Sequence, residues 1–214
     1  MVKYDPSKHH RRSIRLKGYD YHNAGAYFVT ICTKNRVCVL EDPIVSGIIQ
    51  DVWLALPSWF PTIELDEFVV MPNHVHFVVW IVGKPLVGVH HAQIMDGSES
   101  RPYVIPKPNK TNMTPTLGDI VGAFKSLVFT VYLDWIDRND PSRRAKFWQQ
   151  NYYEHIVRND RELNAIRQYI IDNPLHWKID RDNIGNLRNL PPPEKVEDYL
   201  KDIQELINPL DPQE

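Results

Sequence analysis

The nine residues Val70-Met-Pro-Asn-His-Val-His-Phe-Val78 place two histidines on either side of a single valine. Because side chains alternate along a β-strand, His74 and His76 would face one side of it, and their apolar neighbours would face the other. Two imidazoles side by side can hold one divalent metal ion. The same pattern also fits two polar residues on the wet face of a half-buried strand. The stretch therefore predicts a strand and a candidate metal site.

Apolar periodicity on both sides of this stretch predicts a fold that mixes strands and helices. Runs rich in β-branched and aromatic residues predict strands, and apolar residues at helical spacing predict helices. The predicted strands are Tyr27–Thr33, Ile63–Val70 and His74–Val82, with a strand or ordered loop at 147–157, and the predicted helices are Val45–Leu56, Thr116–Asp137, Asp160–Asn173 and Glu194–Ile207. Thr116 is expected to cap its helix. Pro57 and Pro174 are expected to end theirs.

The overall composition limits the class of protein. The chain has 214 residues, of which 43% are hydrophobic, enough for a core and too apolar for a disordered chain. Its net charge of −2 excludes a globally basic protein but allows segregated basic patches. Two cysteines, Cys32 and Cys38, make neither a disulfide framework nor a zinc signature. With no apolar leader and no stretch of transmembrane length, we expect a cytoplasmic protein with no membrane partner.

Changes in composition along the chain predict three parts. Residues 1–17 form a basic arm, residues 18–177 form the main domain, and residues 178–214 form an acidic C-terminal extension. Within the main domain, residues 83–115 are rich in Gly, Pro, Ser, Asn and Lys and show no period, which indicates a long loop or an insertion.

A metal held by two imidazoles needs a further ligand, and the helix before Pro174 offers one. Tyr169 and Asn173 are four residues apart and therefore share one helical face. The amide oxygen of Asn173 is a suitable ligand for Mg²⁺ or Mn²⁺. Tyr169 could then attack a phosphate polarised by the same ion, as a covalent nucleophile. By spacing alone, a tyrosine near a helix end is more often a packing residue.

Six pieces of the chain, taken together and in this order, resemble the REP-associated tyrosine transposases and the related single-tyrosine HUH insertion-sequence transposases. The pieces are RRSIRLKGYD (11–20), GAYFVTICT (25–33), VVMPNHVH (69–76), VGAFKS (121–126), WQQNYYEHIVR (148–158) and YIIDNP (169–174). The combination is specific, although each piece alone is not. The long segment at 83–115 and the C-terminal extension depart from the pattern.

The resemblance implies an α+β fold, with a ferredoxin- or RRM-like antiparallel sheet and helices packed mainly on one face. It implies that His74 and His76 are the metal pair, that Asn173 is the third ligand and that Tyr169 is the nucleophile. The implied cofactor is Mg²⁺ or Mn²⁺. The implied activity is transposase-like: cleavage and joining of single-stranded DNA near hairpins, through a 5′-phosphotyrosine and a free 3′-hydroxyl. A bacterial, nucleoid-associated location and a possible homodimer follow from the same resemblance.

Two further sets of residues stay open. Tyr152 and Tyr153 compete with Tyr169 as the nucleophile, although only Tyr169 has the following amide and proline. DNA contacts are expected from basic residues and one histidine, with surface solvation or a structural role as the alternative for each. They are Arg11, Arg12, Arg15, Lys17, Lys125, His155 and Arg158.

Two other functions fit the same sequence. A domesticated protein could bind structured single-stranded DNA without cutting it, although it would need neither the metal pair nor the tyrosine. A metal-dependent phosphodiesterase acting on small nucleotides would hydrolyse its substrate without a covalent adduct.

Overall fold

The computed structural model describes residues 19–83 and 101–207, and a single antiparallel sheet organises them. Its strands are β1 (Gly25–Cys32), β2 (Ile63–Val70), β3 (His74–Ile81) and β4 (Tyr153–Ile156). The strand order across the sheet is β2-β3-β1-β4, and each neighbouring pair is antiparallel. The predicted strands at 63–70 and 74–82 are thus confirmed to within one residue.

Four α-helices accompany the sheet: α1 (Pro43–Trp59), α2 (Leu117–Asn139), α3 (Asp160–His176) and α4 (Val196–Ile207). The chain up to β4 therefore runs strand, helix, strand, strand, helix, strand. This order, with the two connected strands β2 and β3 at one side of β1, is the split βαβ arrangement of ferredoxin-like folds. The predicted α+β class and antiparallel sheet are confirmed.

One face of the sheet, which we call the apolar face, carries the main core. Alternation along β1 and β3 points Val29, Ile31 and Phe77 to this side, and all three are fully buried. Helices α1 and α2 cover them with apolar residues at helical spacing, including Ile48 and Phe124.

The opposite face, which we call the polar face, is also covered. Phe28 and Val78 on this side pack with Ile166 and Ile170 of α3 and with Tyr199 of α4. The expectation that helices pack mainly on one face therefore needs correction, because two helices lie on each side. Helices α3 and α4 follow the last strand, and their apolar stripes find the side that α1 and α2 leave free.

Both prolines expected to end helices lie inside them. Helix α1 continues through Pro57 to Trp59, and α3 continues through Pro174 to His176. Each proline sits in the last turn, where it removes only the hydrogen bond that its own nitrogen would donate, and where the last carbonyl groups have no partner within the helix in any case.

Polar caps fix where three helices begin. Asp42 accepts hydrogen bonds from the first turn of α1. Thr116 and Asp119 form a reciprocal capping box at the start of α2, which confirms the predicted cap. Asn159 accepts a hydrogen bond from Glu162 at the start of α3. The helix that carries Tyr169 is thus anchored at its first turn.

Two predicted segments fall partly outside the described residues. The basic arm at 1–17, with Arg11, Arg12, Arg15 and Lys17, lies outside them, as does the part of the insertion at 84–100. The part from residue 101 onward packs on α1: Tyr103 donates a 2.6 Å hydrogen bond to Asp51. The three-part division of the chain stays a prediction, although Tyr199 from its last part is 1% exposed beneath the sheet.

None of the helices in the described part of the chain has the length and apolar character needed to cross a bilayer.

Candidate metal and tyrosine site

The two histidines lie next to each other on the polar face, as the strand period predicts. In the register of β1 and β3, His74 is opposite Cys32 and His76 is opposite Thr30. The imidazole centroids are 4.4 Å apart, and both side chains are fully buried. The alternative of two polar residues on a wet strand face is therefore wrong for this structure, because α3, α4 and the chain between them exclude solvent from the pair.

Asn73 sets the tautomer of His74. The Asn73 side-chain amide donates hydrogen bonds to the carbonyl oxygens of Arg36 (3.1 Å) and Asp182 (2.7 Å), which fixes its oxygen toward His74. His74 Nδ1 lies 2.9 Å from that oxygen and must donate to it, since an amide oxygen only accepts. The lone pair of His74 is therefore on Nε2, and this buried atom has no hydrogen-bond partner among the described residues. A histidine held at Nδ1 and free at Nε2 is arranged as a metal ligand.

Burial keeps both imidazoles neutral. It lowers the pKa of His74 to about 3, with a smaller effect from the Arg36 guanidinium. Burial also lowers the pKa of His76 well below its usual value, and the neighbouring His74 adds to this effect. Neutral imidazole is the form that binds metals, so the pair is ready to ligate across the physiological pH range.

Helix α3 brings Tyr169 and Asn173 to the same place. Both side chains point from one face of the helix toward the sheet, and they are 5% and 2% exposed. The Tyr169 hydroxyl lies 3.5 Å from His76 Nε2 of the same chain, and the Oδ1 atom of Asn173 is buried without a partner among the described residues. Two unpaired acceptors, His74 Nε2 and Asn173 Oδ1, are thus buried on this face.

Asp180 belongs to the site but was not predicted from the sequence. One ligand atom from each of His74, His76 and Asp180 lies within 4.8 Å of the others, and His74 Nε2 is 3.9 Å from Asp180 Oδ2. The sequence prediction ended the main domain at residue 177, just before this aspartate. The sequence signal that could have identified Asp180 is the closely spaced pair Asp180 and Asp182, which follows soon after Asn173.

Burial and the carboxylates around the site together make a further negative charge there unfavourable. Burial, with a smaller contribution from the charge of Asp182, raises the pKa of Asp180 to about 7. Burial also raises the pKa of Tyr169 well above its usual value, followed by the charges of Asp180, Asp182 and Asp202. Without a bound cation the tyrosine is therefore a neutral phenol, and Asp180 is partly protonated near neutral pH.

Asp182 and Tyr199 form the wall of the site away from α3. The Tyr199 hydroxyl donates a 2.7 Å hydrogen bond to Asp182, whose carboxylate also receives Arg36. The Tyr199 ring lies 5.5 Å from the ring of His76. Neither residue was singled out from the sequence, because each reaches the histidines only after the chain has folded back beneath the sheet.

A groove of about 820 Å³ between α3 and α4 gives the outer approach to the tyrosine. Tyr169, Arg158 and Arg161 are part of its lining. Arg158 is exposed, as a DNA-contacting residue would be. Its backbone nitrogen donates to Glu162, so the guanidinium is carried on an anchored stretch of chain.

The other described DNA-binding candidates have different surroundings. His155 Nε2 lies 2.8 Å from Glu162 Oε1 and connects β4 to the first turn of α3, which is a structural contact. Lys125 is on α2, away from the groove, and its ammonium donates to the carbonyl oxygens of Gln149 and Gln150. Of the competing tyrosines, Tyr153 donates its hydroxyl to the Pro193 carbonyl.

The strand order and the helices on both sides define an α+β protein with a ferredoxin-like sheet. The chain is 35% identical over 188 residues to an uncharacterized protein of Haemophilus influenzae Rd, across 84% of this chain and 97% of that one. The chain belongs to the family of that protein. No family model matches it.

Two solved structures show a partial likeness. One is the REP-associated tyrosine transposase bound to a REP hairpin, at 15% identity and a TM-score of 0.47, over 75% of this chain and 73% of that one. The other is a candidate transposase from Deinococcus radiodurans R1, at 18% identity and a TM-score of 0.39, over 74% of this chain and 95% of that one. At these TM-scores neither likeness bears on function, and the fold rests on the strand order given above.

Proposed function

We propose that the protein is a metal-dependent, transposase-like enzyme that cuts and rejoins single-stranded DNA near hairpins, with Tyr169 as the nucleophile. The observation that carries the proposal is the position of the Tyr169 hydroxyl, 3.5 Å from His76 Nε2 in a buried group of imidazole, amide and carboxylate side chains. A tyrosine beside a group of possible metal ligands suits metal-assisted phosphotyrosine chemistry. The resemblance of six sequence pieces to single-tyrosine HUH transposases agrees with this chemistry.

The donor set suits a divalent cation. His74 and His76 supply imidazole nitrogens, and Asn173 and Asp180 supply hard oxygens; His74 Nε2 and Asn173 Oδ1 are buried without partners among the described residues. Because imidazole favours the later transition metals and oxygen favours Mg²⁺ and Mn²⁺, this mixed set suits Mn²⁺ better than Mg²⁺. A bound cation would act as a Lewis acid on the scissile phosphate and would offset the carboxylate charges that raise the pKa of Tyr169.

The tyrosine then performs the covalent step. The Tyr169 oxygen gives up its phenolic proton and attacks phosphorus, and the bond from phosphorus to the 3′-oxygen breaks. The 3′-oxygen takes up a proton as it leaves, so that one proton passes overall from the phenol to the 3′-hydroxyl. The DNA is left joined through its 5′-phosphate to Tyr169, and a 3′-hydroxyl reverses the step during joining.

Two parts of the proposal rest on the resemblance alone. The resemblance includes a homodimer in the proposal, although Tyr169 and His76 of one chain already lie together and the catalytic group needs no residue from a second copy. The bacterial cytoplasm, close to the nucleoid, is the expected location because the proposed substrate is DNA.

The test is a covalent-adduct assay with hairpin-containing single-stranded oligonucleotides and Mn²⁺. The wild-type protein should form a denaturation-resistant protein–DNA adduct, and Tyr169→Phe should form none. Tyr153→Phe is the matched control and should keep the adduct, because its hydroxyl contacts a carbonyl oxygen away from the histidines. An adduct that survives in Tyr169→Phe would show that the nucleophile is another residue.

The same assay separates the alternatives. DNA binding with no adduct under any divalent metal would support a non-cleaving binder. Hydrolysis of small phosphodiesters without an adduct would support a phosphodiesterase.

A further inference from the structure

We propose that a second pocket, on the α2 side of the sheet, binds one or two nucleotides of a single DNA strand. The pocket is lined by Lys34, Asn35, Lys125, Phe129, Ala145, Lys146, Phe147, Trp148, Gln149 and Gln150. We call it the lysine–aromatic pocket. That its ligand is DNA rests on the proposed function, and the pocket itself rests on the observations below.

The charge of the pocket is of one sign. Lys34, Lys125 and Lys146 line it, and none of its ten lining residues is acidic. Lys34 and Lys146 are exposed, and neither forms an ion pair with a described residue. Lys125 is half-buried and uses two of its three N–H groups on the Gln149 and Gln150 carbonyl oxygens, which leaves one donor for a ligand. Three cations without a carboxylate are suited to the phosphates of a nucleic acid.

The walls of the pocket are aromatic. Phe147 is buried in the main core, and its ring centroid lies 4.8 Å from that of Trp148. The half-buried rings of Trp148 and of Phe129 in α2 supply the ring surface of the pocket. Rings beside cations are the usual surface for a single strand, because bases stack on the rings while the cations neutralise the backbone.

The pocket is attached to the end of the sheet that carries the histidines. Lys34 follows β1 directly after Thr33, and its backbone nitrogen donates a 2.6 Å hydrogen bond to the Phe147 carbonyl. The Gln149 nitrogen donates to the carbonyl of Cys32, the residue opposite His74 in the strand register. A strand leaving the proposed cleavage site around this end of the sheet therefore meets the lysine–aromatic pocket.

The volume fits a short piece of a strand. The pocket encloses about 680 Å³, within the range of about 300–1,000 Å³ that ligand sites occupy. An entire hairpin is too large for it, whereas one or two nucleotides are not.

The test measures binding of a fluorescent oligothymidylate in EDTA, so that neither cleavage nor the metal site contributes. Lys34→Ala/Lys146→Ala removes two exposed lysines of the pocket, and Lys107→Ala/Lys110→Ala removes two exposed lysines outside it with the same change of net charge. For single strands, each lost phosphate contact lowers the slope of log binding constant against log salt concentration by about 0.7. The pocket variant loses two contacts, so its slope should be smaller by about 1.4. With 1 M salt as the reference, this corresponds to binding about 25-fold more weakly at 0.1 M salt. The control variant should bind as wild type does.

A second measurement locates the strand. An oligonucleotide carrying iodouracil should photo-crosslink to Phe129, Phe147 or Trp148, identified by mass spectrometry. If wild type binds the strand but the pocket variant matches the control, or if crosslinks fall only outside the lining, the pocket proposal is wrong and the cleavage proposal stands. If wild type does not bind the oligothymidylate, the pocket proposal is wrong, and the adduct assay with hairpin-containing oligonucleotides decides the cleavage proposal separately.

Discussion

The two faces of the sheet are equally buried but differ in what they bury. On the apolar face, Val29, Ile31 and Phe77 belong to a core of apolar and aromatic residues that α1 and α2 cover. On the polar face, the same two strands present His74 and His76 to buried polar groups from the chain beyond β4. Strand β3 therefore contributes to both the core and the site. Its odd-numbered residues face the core, and its even-numbered residues face the site.

The difference shows how stability and chemistry are separated in this fold. Burying unpaired polar atoms costs free energy, and two acceptors on the polar face, His74 Nε2 and Asn173 Oδ1, have no partner within the described part of the chain. The apolar face contributes the hydrophobic burial that offsets this cost. Substitutions on the two faces should accordingly give opposite results in assays of stability and of activity.

The largest expected effect on stability is on the apolar face. Phe77 is fully buried and lies 4.8 Å from Trp53 and 5.9 Å from Phe124, measured between ring centroids. Phe77→Ala should lower the free energy of unfolding by about 3–5 kcal/mol, through lost burial and a cavity. Urea denaturation measures this change. Tyr169→Phe should change the same quantity by less than about 1 kcal/mol while it abolishes the adduct. Equal destabilisation by both would contradict the separation.

A metal should stabilise the polar face in particular. At a concentration about 100 times its dissociation constant, Mn²⁺ should raise the free energy of unfolding by about 2.7 kcal/mol, and EDTA should reverse the rise. His74→Gln should remove this response. His155→Gln is the matched control, since His155 also faces the polar side of the sheet but contacts Glu162 and not the proposed metal ligands. A response that survives in His74→Gln would exclude this residue as a ligand.

An ion pair between β2 and α3 positions the tyrosine helix. Arg167 donates to both oxygens of Asp66, at 2.8 and 2.6 Å, two residues before Tyr169. Burial alone would raise the pKa of Asp66, but hydrogen bonds from Arg167 and Trp80 outweigh it and hold the pKa below its usual value. Asp66→Asn should lower the free energy of unfolding by about 1–2 kcal/mol at neutral pH.

The pH dependence of this effect has a definite sign. A depressed pKa contributes stability that is present above the unfolded value of about 3.9 and is lost as the pH falls through the folded value. The difference between wild type and Asp66→Asn should therefore be constant near neutral pH and shrink below about pH 4. Urea midpoints at a series of pH values measure it, and a difference that grows on acidification would contradict the assignment.

The smallest effects come from a matched pair of helix caps. Thr116→Ala at α2 and Asn159→Ala at α3 should each lower the free energy of unfolding by about 1 kcal/mol. Only Asn159→Ala should also slow adduct formation, because α3 carries Tyr169. If both variants slow it equally, the two faces are not functionally distinct.

Local periods predicted a large part of this structure from the sequence. The alternation at His74 and His76 placed both imidazoles on one face, and the spacing of Tyr169 and Asn173 placed both on one side of α3. Each of these depends only on residues a few positions apart. The capping box at Thr116 is local in the same way.

The remainder depends on contacts between distant segments. Asp180 and Asp182 reach the histidines because the chain turns back after α3, and no local pattern gives the direction of that turn. The cover over the polar face could not be predicted for the same reason, since it requires knowing where α4 packs. The expectation that Pro57 and Pro174 end their helices was wrong, because a proline destabilises the last turn of a helix less than its interior. Packing decides which residues form that last turn, and the sequence alone does not show it.

The different exposure of the two cysteines makes opening of the polar face measurable by thiol labelling. Cys38 is exposed, whereas Cys32 is buried beside Asp182 and Tyr199, where burial raises the pKa of its thiol well above the usual value. A thiol-labelling reagent will therefore modify Cys38 at once and Cys32 only when the segment carrying Asp182 and Tyr199 moves away. The labelling rate of Cys32, divided by that of the exposed reference thiol Cys38, reports the fraction of time for which the histidines are uncovered.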